Sequence, residues 1–173
     1  MSRIVLITGA TTGIGAATAA SFQKSGYKVA VNYNRNDEQA QAFTNATGIP
    51  AYKWDVRDAQ ACLNGVHKIE QELGTVEVLV NNAGILRDKT IHKMTVEEWT
   101  DVITTNLNSC FNMSRAVVPS MKEKKFGRII EPPPINESTR KVNPASLWTI
   151  YRRIGYGAQA LHIGADHRSP AAG

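Results

Sequence analysis

Three glycines near the amino terminus have the spacing of a phosphate-binding turn. Residues 8–15 have the sequence TGATTGIG, which contains Gly9, Gly13 and Gly15. Glycines let the backbone turn tightly beside a pyrophosphate, and the helix that follows directs its free N–H groups at the phosphates. A glycine pattern alone is a weak signal, but this one follows an apolar run and opens a helical pattern. The spacing therefore predicts a dinucleotide-binding turn.

The elements that would position this turn alternate between strands and helices. Five short apolar runs fit strands that are buried on both faces, as in a parallel sheet. They cover residues 4–8, 28–33, 51–56, 76–80 and 127–130. Helical patterns lie between them, and this alternation predicts an α/β fold with helices on both faces of the sheet. The expected architecture is a Rossmann-type, doubly wound parallel sheet of about five strands, incomplete and followed by an irregular C-terminal tail.

Helix-terminal signals mark several of the element boundaries. Asn36 and Asp58 stand where a side chain can cap a helix, and Thr95 with Glu98 forms the pattern of a capping box. Gly26 is expected just past the end of the first helix. A long helical pattern covers residues 95–125, and we expect its proline, Pro119, to kink the helix near its end.

The glycine turn and a second motif together resemble a known family. The turn has the form T-G-x-x-x-G-x-G, and NNAG follows the fourth strand at residues 81–84. This pair is similar to the motifs of the short-chain dehydrogenase/reductase family. The stretch NNAGILRDKTIHKMTVEEWTDVITTNLNSCFN further resembles the acetoacetyl-CoA and 3-oxoacyl-acyl-carrier-protein reductases of that family. The resemblance covers residues 3–130 and implies NAD(P)H-dependent reduction of a 3-oxoacyl thioester, in polyhydroxybutyrate or fatty-acid metabolism.

The resemblance also implies a set of cofactor-binding residues. The family's phosphate turn, the pair that holds its adenine, and the wall beside its ribose and nicotinamide all have matches in this sequence. The matches are Gly9, Gly13, Ile14 and Gly15 for the turn, Asp55 and Val56 for the adenine, and Asn82, Ala83 and Gly84 for the wall. Other interpretations are open, because Asp55 could cap a turn and Asn81 or Asn82 could bond loop backbone.

The end of the second strand favours NADPH as the coenzyme. Enzymes that use NAD usually place an acid there, about 20 residues past the glycines, to accept a hydrogen bond from the ribose 2′-OH. Here the strand ends in VNYNR, without a carboxylate at residues 32–34. We therefore expect Arg35 to bind the 2′-phosphate, although a plain surface arginine also fits the pattern.

The implied chemistry needs residues that this sequence does not contain. In the family a serine, a tyrosine and a lysine four residues after the tyrosine carry out the reduction, and an asparagine in the long helix holds a water for proton relay. Asn106 matches the asparagine, with a helix-surface amide as its alternative. The other three positions fall on Pro134, Leu147 and Tyr151, and no Y-x-x-x-K occurs in the sequence. Asp88 matches a substrate-side residue, or is a polar surface residue.

These replacements predict that the chain is inactive as a reductase. The alternative is a non-catalytic protein that binds NADP(H) or a partner. Five of the seven prolines lie beyond residue 131, where the resemblance stops. We expect an NADP-binding domain at 1–130 and an unrelated tail rich in proline and arginine at 131–173, produced by a frameshift or truncation of the coding sequence. The helical surface through which the family forms homo-oligomers is expected to be missing.

Charge, hydropathy and cysteine count argue against other classes of protein. The net charge of +5 includes scattered basic residues in the tail but no motif, so no nucleic acid is expected as a partner. No apolar run is long enough for a membrane span or a signal peptide, and the four histidines have no metal-ligand spacing. Cys62 and Cys110 are expected to be buried thiols, which favours a reducing, cytoplasmic location.

Overall fold

A single mixed sheet forms the centre of the molecule in a computed structural model, which describes residues 2–87, 89–131 and 161–163. The strands are β1 (Ile4–Ile7), β2 (Lys28–Tyr33), β3 (Ala51–Lys53), β4 (Val76–Val80), β5 (Gly127–Ile130) and β6 (Leu161–Ile163). The helices are α1 (Gly13–Lys24), α2 (Asp37–Thr47), α3 (Ala59–Leu73), α4 (Val96–Ile103) and α5 (Ser109–Glu123). A short 3-10 turn covers Ile91–Lys93, and a π-helical segment, Thr104–Asn108, joins α4 to α5.

The order of the strands is β3-β2-β1-β4-β5-β6, and the first five run parallel. The chain winds outward from β1 to β3 and then returns to place β4 on the other side of β1. This reversal puts the carboxyl ends of β1 and β4 side by side, and ligands of open α/β sheets bind in the crevice outside such a switch point. The predicted Rossmann-type architecture is confirmed.

Two apolar layers cover the sheet, one on each face. On one face Leu6 and Leu79 belong to a buried cluster with Val66 of α3 and Met113 of α5. On the other face Val5 belongs to a cluster that includes residues of α1 and α2. Successive side chains of a strand point to opposite faces, so a continuous apolar run such as IVLI supplies both layers.

The capping residues that the sequence predicts are all in place. The Asn36 side chain accepts a hydrogen bond from the Gln39 amide, and the Asp58 side chain accepts from two amides at the start of α3. Thr95 and Glu98 form both bonds of a capping box. Gly26 follows α1 with a positive φ of 86°.

Two predicted elements differ from the observed ones. The third strand ends at Lys53 rather than Val56, because the chain turns at Asp55: the amides of Arg57 and Asp58 bond to the side chain and the carbonyl of Asp55. The long helix of residues 95–125 is interrupted by the π-helical segment. Pro119 lies inside α5, which continues to Glu123.

The structure adds a sixth strand to the five parallel strands that the sequence predicts. Within the tail, Leu161–Ile163 pairs antiparallel with β5, so that Gly127 lies opposite Ile163 and Ile129 opposite Leu161. An edge strand presents unpaired N–H and C=O groups that another segment can satisfy, which gives the tail a place to pair. The element expected near residues 146–154 lies outside the described residues.

Candidate functional site

The glycine turn after β1 has the conformation that the motif predicts. Gly9 and Gly13 have φ values of 61° and 55°, a left-handed region that glycine occupies at little cost. A Cβ atom on Gly15 would lie 2.5 Å from Asn82 Nδ2 and 2.6 Å from Ala10 Cα, so only glycine fits there. Among the described residues, and apart from its chain neighbours and the backbone of its own helix, no atom lies within 4 Å of a Cβ built on Gly13, which leaves the outer side of the turn open. The turn is thus packed tightly against Ala10 and Asn82 at Gly15, and it is accessible to a ligand at Gly13.

The NNAG loop after β4 is bonded directly to this turn. Asn82 Nδ2 donates to the carbonyl oxygens of Thr8 and Gly9, at 2.9 and 3.1 Å, and the Ala83 amide donates to Thr8 Oγ1 at 2.9 Å. The loop-backbone interpretation of Asn82 is therefore observed, and it brings Ala83 and Gly84 beside the glycines. Asn81 differs, because its side chain donates to Glu131 Oε1 instead.

A cleft of about 850 Å³ opens above these two motifs at the carboxyl ends of the first four strands. All ten predicted cofactor-binding residues line it, namely Gly9, Gly13, Ile14, Gly15, Arg35, Asp55, Val56, Asn82, Ala83 and Gly84. Asp88, Pro134, Leu147 and Tyr151 lie outside the described residues. The structure thus brings the predicted binding residues together. Of the positions that the sequence predicts for the chemical step, only Asn106 lies within the described residues.

Asn106 connects the π-helical segment to the loop that follows NNAG. Its Oδ1 accepts from the Ile85 amide at 2.8 Å, and its Nδ2 donates to the Ile85 carbonyl at 2.9 Å. This pair of bonds resembles the exchange of hydrogen bonds between two residues of paired strands. Asn106 itself does not line the cleft, but its neighbours Thr105 and Ile85 do. Its role in a proton relay stays a prediction.

A chain of four charged side chains borders the cleft near β3. The Asp55 carboxylate accepts from Arg57 Nη2 at 2.6 Å, and this side-chain hydrogen bond is the main reason that the pKa of Asp55 is lowered. Arg57 Nη1 lies 3.9 Å from Asp101 Oδ1, and Asp101 Oδ2 lies 3.4 Å from Arg87 Nη2. Sequence reasoning missed Arg57, Asp101 and Arg87, of which only Arg57 contacts Asp55 directly. The spacing D-V-R could have indicated Arg57, whereas Arg87 and Asp101 are brought in only by the fold.

A second ionic group lies at the end of β2, where coenzyme choice is expected to be decided. Tyr33 Oη donates to Asp37 Oδ1 at 2.9 Å, and Lys53 Nζ donates to Asp37 Oδ2 at 2.7 Å. The bond from Lys53 is the main cause of a lowered pKa of Asp37, followed by the bond from Tyr33. Arg35 is exposed and, within the described part of the chain, makes no hydrogen bond or ion pair. The nearby carboxylate is thus paired, while Arg35 remains available to an anion.

Other kinds of site find no support in the described ranges. Among those residues no group of His, Cys, Asp and Glu side chains could hold a metal ion, and no helix is long and apolar enough to cross a membrane. Cys62 and Cys110 are both buried, as predicted.

Comparison with known proteins agrees with this geometry. The model of the short chain dehydrogenase family matches residues 3–149. An acetoacetyl-CoA reductase of Rhizobium meliloti is 52% identical over 136 residues, which are 79% of this chain and 56% of that protein. A 3-oxoacyl-acyl-carrier-protein reductase FabG of Staphylococcus aureus is 38% identical over 75% of this chain and 55% of its own length.

A solved structure gives the same result. The serine dehydrogenase of Escherichia coli superposes with a TM-score of 0.69 and 35% identity, covering 75% of this chain and 61% of that one. The chain thus spans just over half the length of the curated relatives that it matches. With its glycine turn, NNAG loop and sheet order in the expected places, the chain belongs to the short chain dehydrogenase family.

Proposed function

We propose that the cleft binds NADPH. The observation that carries this proposal is the open glycine turn at the start of α1, which a pyrophosphate can approach on the side where no other described segment lies near Gly13. Arg35 lies on the same cleft and is available to the 2′-phosphate. Asp37, the carboxylate nearest to Tyr33, is bonded to Lys53 and so repels a phosphate less than an unpaired acid would.

We further propose that the reaction of this lineage is the reduction of a 3-oxoacyl thioester. The similarity to acetoacetyl-CoA reductases and to a 3-oxoacyl-acyl-carrier-protein reductase supports this substrate class. NADPH would supply a hydride to the keto carbon, and a proton would complete the alcohol. Acetoacetyl-CoA would give 3-hydroxybutyryl-CoA. The residues of this chain that serve the reaction in our proposal are those that bind and orient the coenzyme.

The 173-residue chain itself is proposed to bind coenzyme without turning over substrate. The positions that match the family's serine, tyrosine and lysine hold Pro134, Leu147 and Tyr151. Proline and leucine have no proton to give, and no tyrosine of the chain has a lysine four residues later. Our proposal is therefore an NADPH-binding protein of an oxidoreductase family, with reduction as the function of its longer relatives.

A matched pair of glycine variants tests the binding site. Gly13 and Gly48 both have a positive φ and open space around them, but only Gly13 lies on the cleft. We expect micromolar NADPH binding in calorimetry for the unaltered chain and for Gly48→Asp. Gly13→Asp should abolish detectable binding, because its carboxylate would face the phosphates.

The same preparations test the second half of the proposal. With acetoacetyl-CoA and NADPH, we expect no oxidation of NADPH above the background rate. Turnover that depends on the protein concentration would refute inactivity. Absence of NADPH binding at millimolar concentration would refute the binding function.

A further inference from the structure

Strand β5 has a neighbour on each side, and the two neighbours are attached differently. On one side lies β4, which is also paired with β1 on its far edge. On the other side β6 pairs through three residues, and within the described residues it packs mainly against β5. A strand this short gains few hydrogen bonds in return for the conformational freedom that it loses. We therefore expect β6 to separate from the sheet at a lower cost than β4.

The direction of the backbone groups shows which residues of β5 depend on β6. The Ile130 carbonyl accepts from the Asn81 amide at 2.9 Å, so the backbone groups of Ile130 face β4. The backbone groups of successive residues point to alternate sides of a strand. Those of Gly127 and Ile129 therefore face β6, and they would have no partner in the sheet without it.

The register of the antiparallel pair identifies the partners within β6. Gly127 lies opposite Ile163, and Ile129 lies opposite Leu161. Because the groups of Gly127 and Ile129 face β6, these are the hydrogen-bonded pairs of the ladder. The residue between them in β6, His162, belongs to a non-hydrogen-bonded pair, and its N–H group points away from β5.

The sequence of β5 gives its outer edge little protection of its own. The strand GRII contains no proline and one charged residue, Arg128. Arg128 Nη1 donates to the Gly127 carbonyl at 2.8 Å, and the guanidinium carbon lies 4.8 Å from the centre of the Phe126 ring. Natural sheets protect their edges with outward charges, prolines or a covering segment. Of these, the described part of β5 shows the covering segment.

We propose that β6 is a protective strand, which occupies the edge of β5 and so prevents this edge from pairing with the β5 edge of a second copy of the chain. The inference goes beyond the proposed binding of NADPH and does not rest on it. Antiparallel pairing of two identical edges is self-complementary, because each copy donates to the other as it accepts from it. Both pairings use the same backbone groups, so each excludes the other.

Two proline variants of β6 form a matched test. Proline has no N–H group, so Ile163→Pro removes a donor that faces β5, whereas His162→Pro removes one that faces away. By size-exclusion chromatography with light scattering, we expect Ile163→Pro to raise the mass about twofold or more over that of the unaltered chain and of His162→Pro. Equal masses for the two variants would overturn the proposal. Thermal unfolding verifies that each variant is folded.

A peptide of residues 159–165 determines whether the association of Ile163→Pro uses the edge of β5. The peptide contains β6, so it can fill the open edge, and an excess should return the mass to that of the unaltered chain. The same peptide with the Ile163→Pro change is the control and should have no effect. Association that persists with an excess of the first peptide would place the contact on another surface and overturn the proposal.

A disulfide lock covers the case in which Ile163→Pro does not fold. Arg128 and His162 lie opposite each other in the non-hydrogen-bonded pair, whose short Cα separation suits a disulfide. In the double variant Arg128→Cys/His162→Cys we expect the bond to form within one chain. In denaturant below the unfolding transition, where weakly held segments open first, the reduced form should associate and the oxidised form should not. Equal behaviour of the two forms, or a disulfide between chains, would overturn the proposal.

Discussion

Arg35 is the residue on which coenzyme preference is expected to depend. It is exposed on the cleft close to the end of β2, where a ribose 2′-phosphate would lie in our proposal. We expect NADPH to bind at least tenfold more tightly than NADH, about 1.4 kcal/mol, which is the size of one charge-assisted hydrogen bond. Arg35→Ala should remove most of this difference by weakening NADPH alone, as measured by calorimetry with both coenzymes.

Two further variants make the test of Arg35 specific. Lys124→Ala removes an exposed positive charge that does not line the cleft and should leave the preference unchanged. Tyr33→Asp should shift the preference toward NADH, because the new carboxylate can accept from a 2′-OH and repels a phosphate. Equal affinity of the unaltered chain for both coenzymes would contradict the charge argument.

The pairing of Asp37 shows why the charges of the side chains near the end of β2 do not by themselves predict coenzyme preference. The sequence places an acid four residues after Tyr33, and the fold brings its carboxylate to 2.9 Å from the tyrosine hydroxyl. Lys53, from the neighbouring strand, then compensates the charge at 2.7 Å. Because the pair is exposed, its effect on a bound phosphate is screened by solvent.

At the scale of elements, the π-helical segment interrupts the long helix at the point where Asn106 bonds to the loop that follows NNAG. Asn106 makes two hydrogen bonds to Ile85, which fixes the chain directly after NNAG. Asn106→Ala should destabilise the protein by about 1–3 kcal/mol, because it leaves both backbone groups of Ile85 without these partners. Denaturant unfolding measures this change.

An exposed asparagine provides the control for that measurement. Asn64→Ala removes an amide on the surface of α3 and should change the free energy of unfolding by less than about 0.5 kcal/mol. If Asn106→Ala lowered the free energy of unfolding as little as Asn64→Ala, other contacts would be holding the loop, and the two bonds from Asn106 would not be needed for stability.

The elements differ in how far the sequence alone could predict them. The caps at Asn36 and Asp58 are local patterns, complete within four residues, and they were predicted correctly. The glycine turn and the NNAG loop were recognisable as motifs. The break in the long helix depends on Asn106 reaching Ile85, 21 residues earlier, and β6 depends on pairing with a distant strand. Such contacts are set by the fold and leave no local pattern.

At the scale of the whole molecule, the positions predicted for coenzyme binding and those that match the family's serine, tyrosine and lysine lie in different parts of the chain. The described residues that line the cleft lie between Gly9 and Thr105, at the carboxyl ends of the first four strands. The positions that match the family's serine, tyrosine and lysine lie beyond Glu131. A chain can therefore keep the geometry for a dinucleotide while the positions for chemistry carry other residues, which is the basis of the proposed function.

Glu131 follows β5 and is bonded to the end of the neighbouring strand β4 and to α5. Asn81 Nδ2, at the end of β4, donates to its Oε1 at 2.8 Å, and Cys110 Sγ of α5 donates to its Oε2 at 3.2 Å. Burial raises the pKa of Glu131, and the bonds from Asn81 and Cys110 oppose this to a smaller extent. The folded state therefore holds the proton of Glu131 more firmly than the unfolded chain does.

The sign of the resulting pH dependence follows from the raised pKa. The stabilising contribution of protonated Glu131 is fully present below the unfolded pKa of about 4.3, and it is lost as the pH rises through the higher folded value. Glu131→Gln keeps the shape without the charge, so it should stabilise the protein at pH 7.5 by on the order of 1 kcal/mol and have little effect near pH 4. Thermal and denaturant unfolding at both pH values measure this difference, with Glu123→Gln at the exposed end of α5 as the control. A loss of stability in Glu131→Gln at pH 7.5 would contradict this prediction. It would show that the bonds from Asn81 and Cys110 stabilise the ionised carboxylate by more than burial destabilises it.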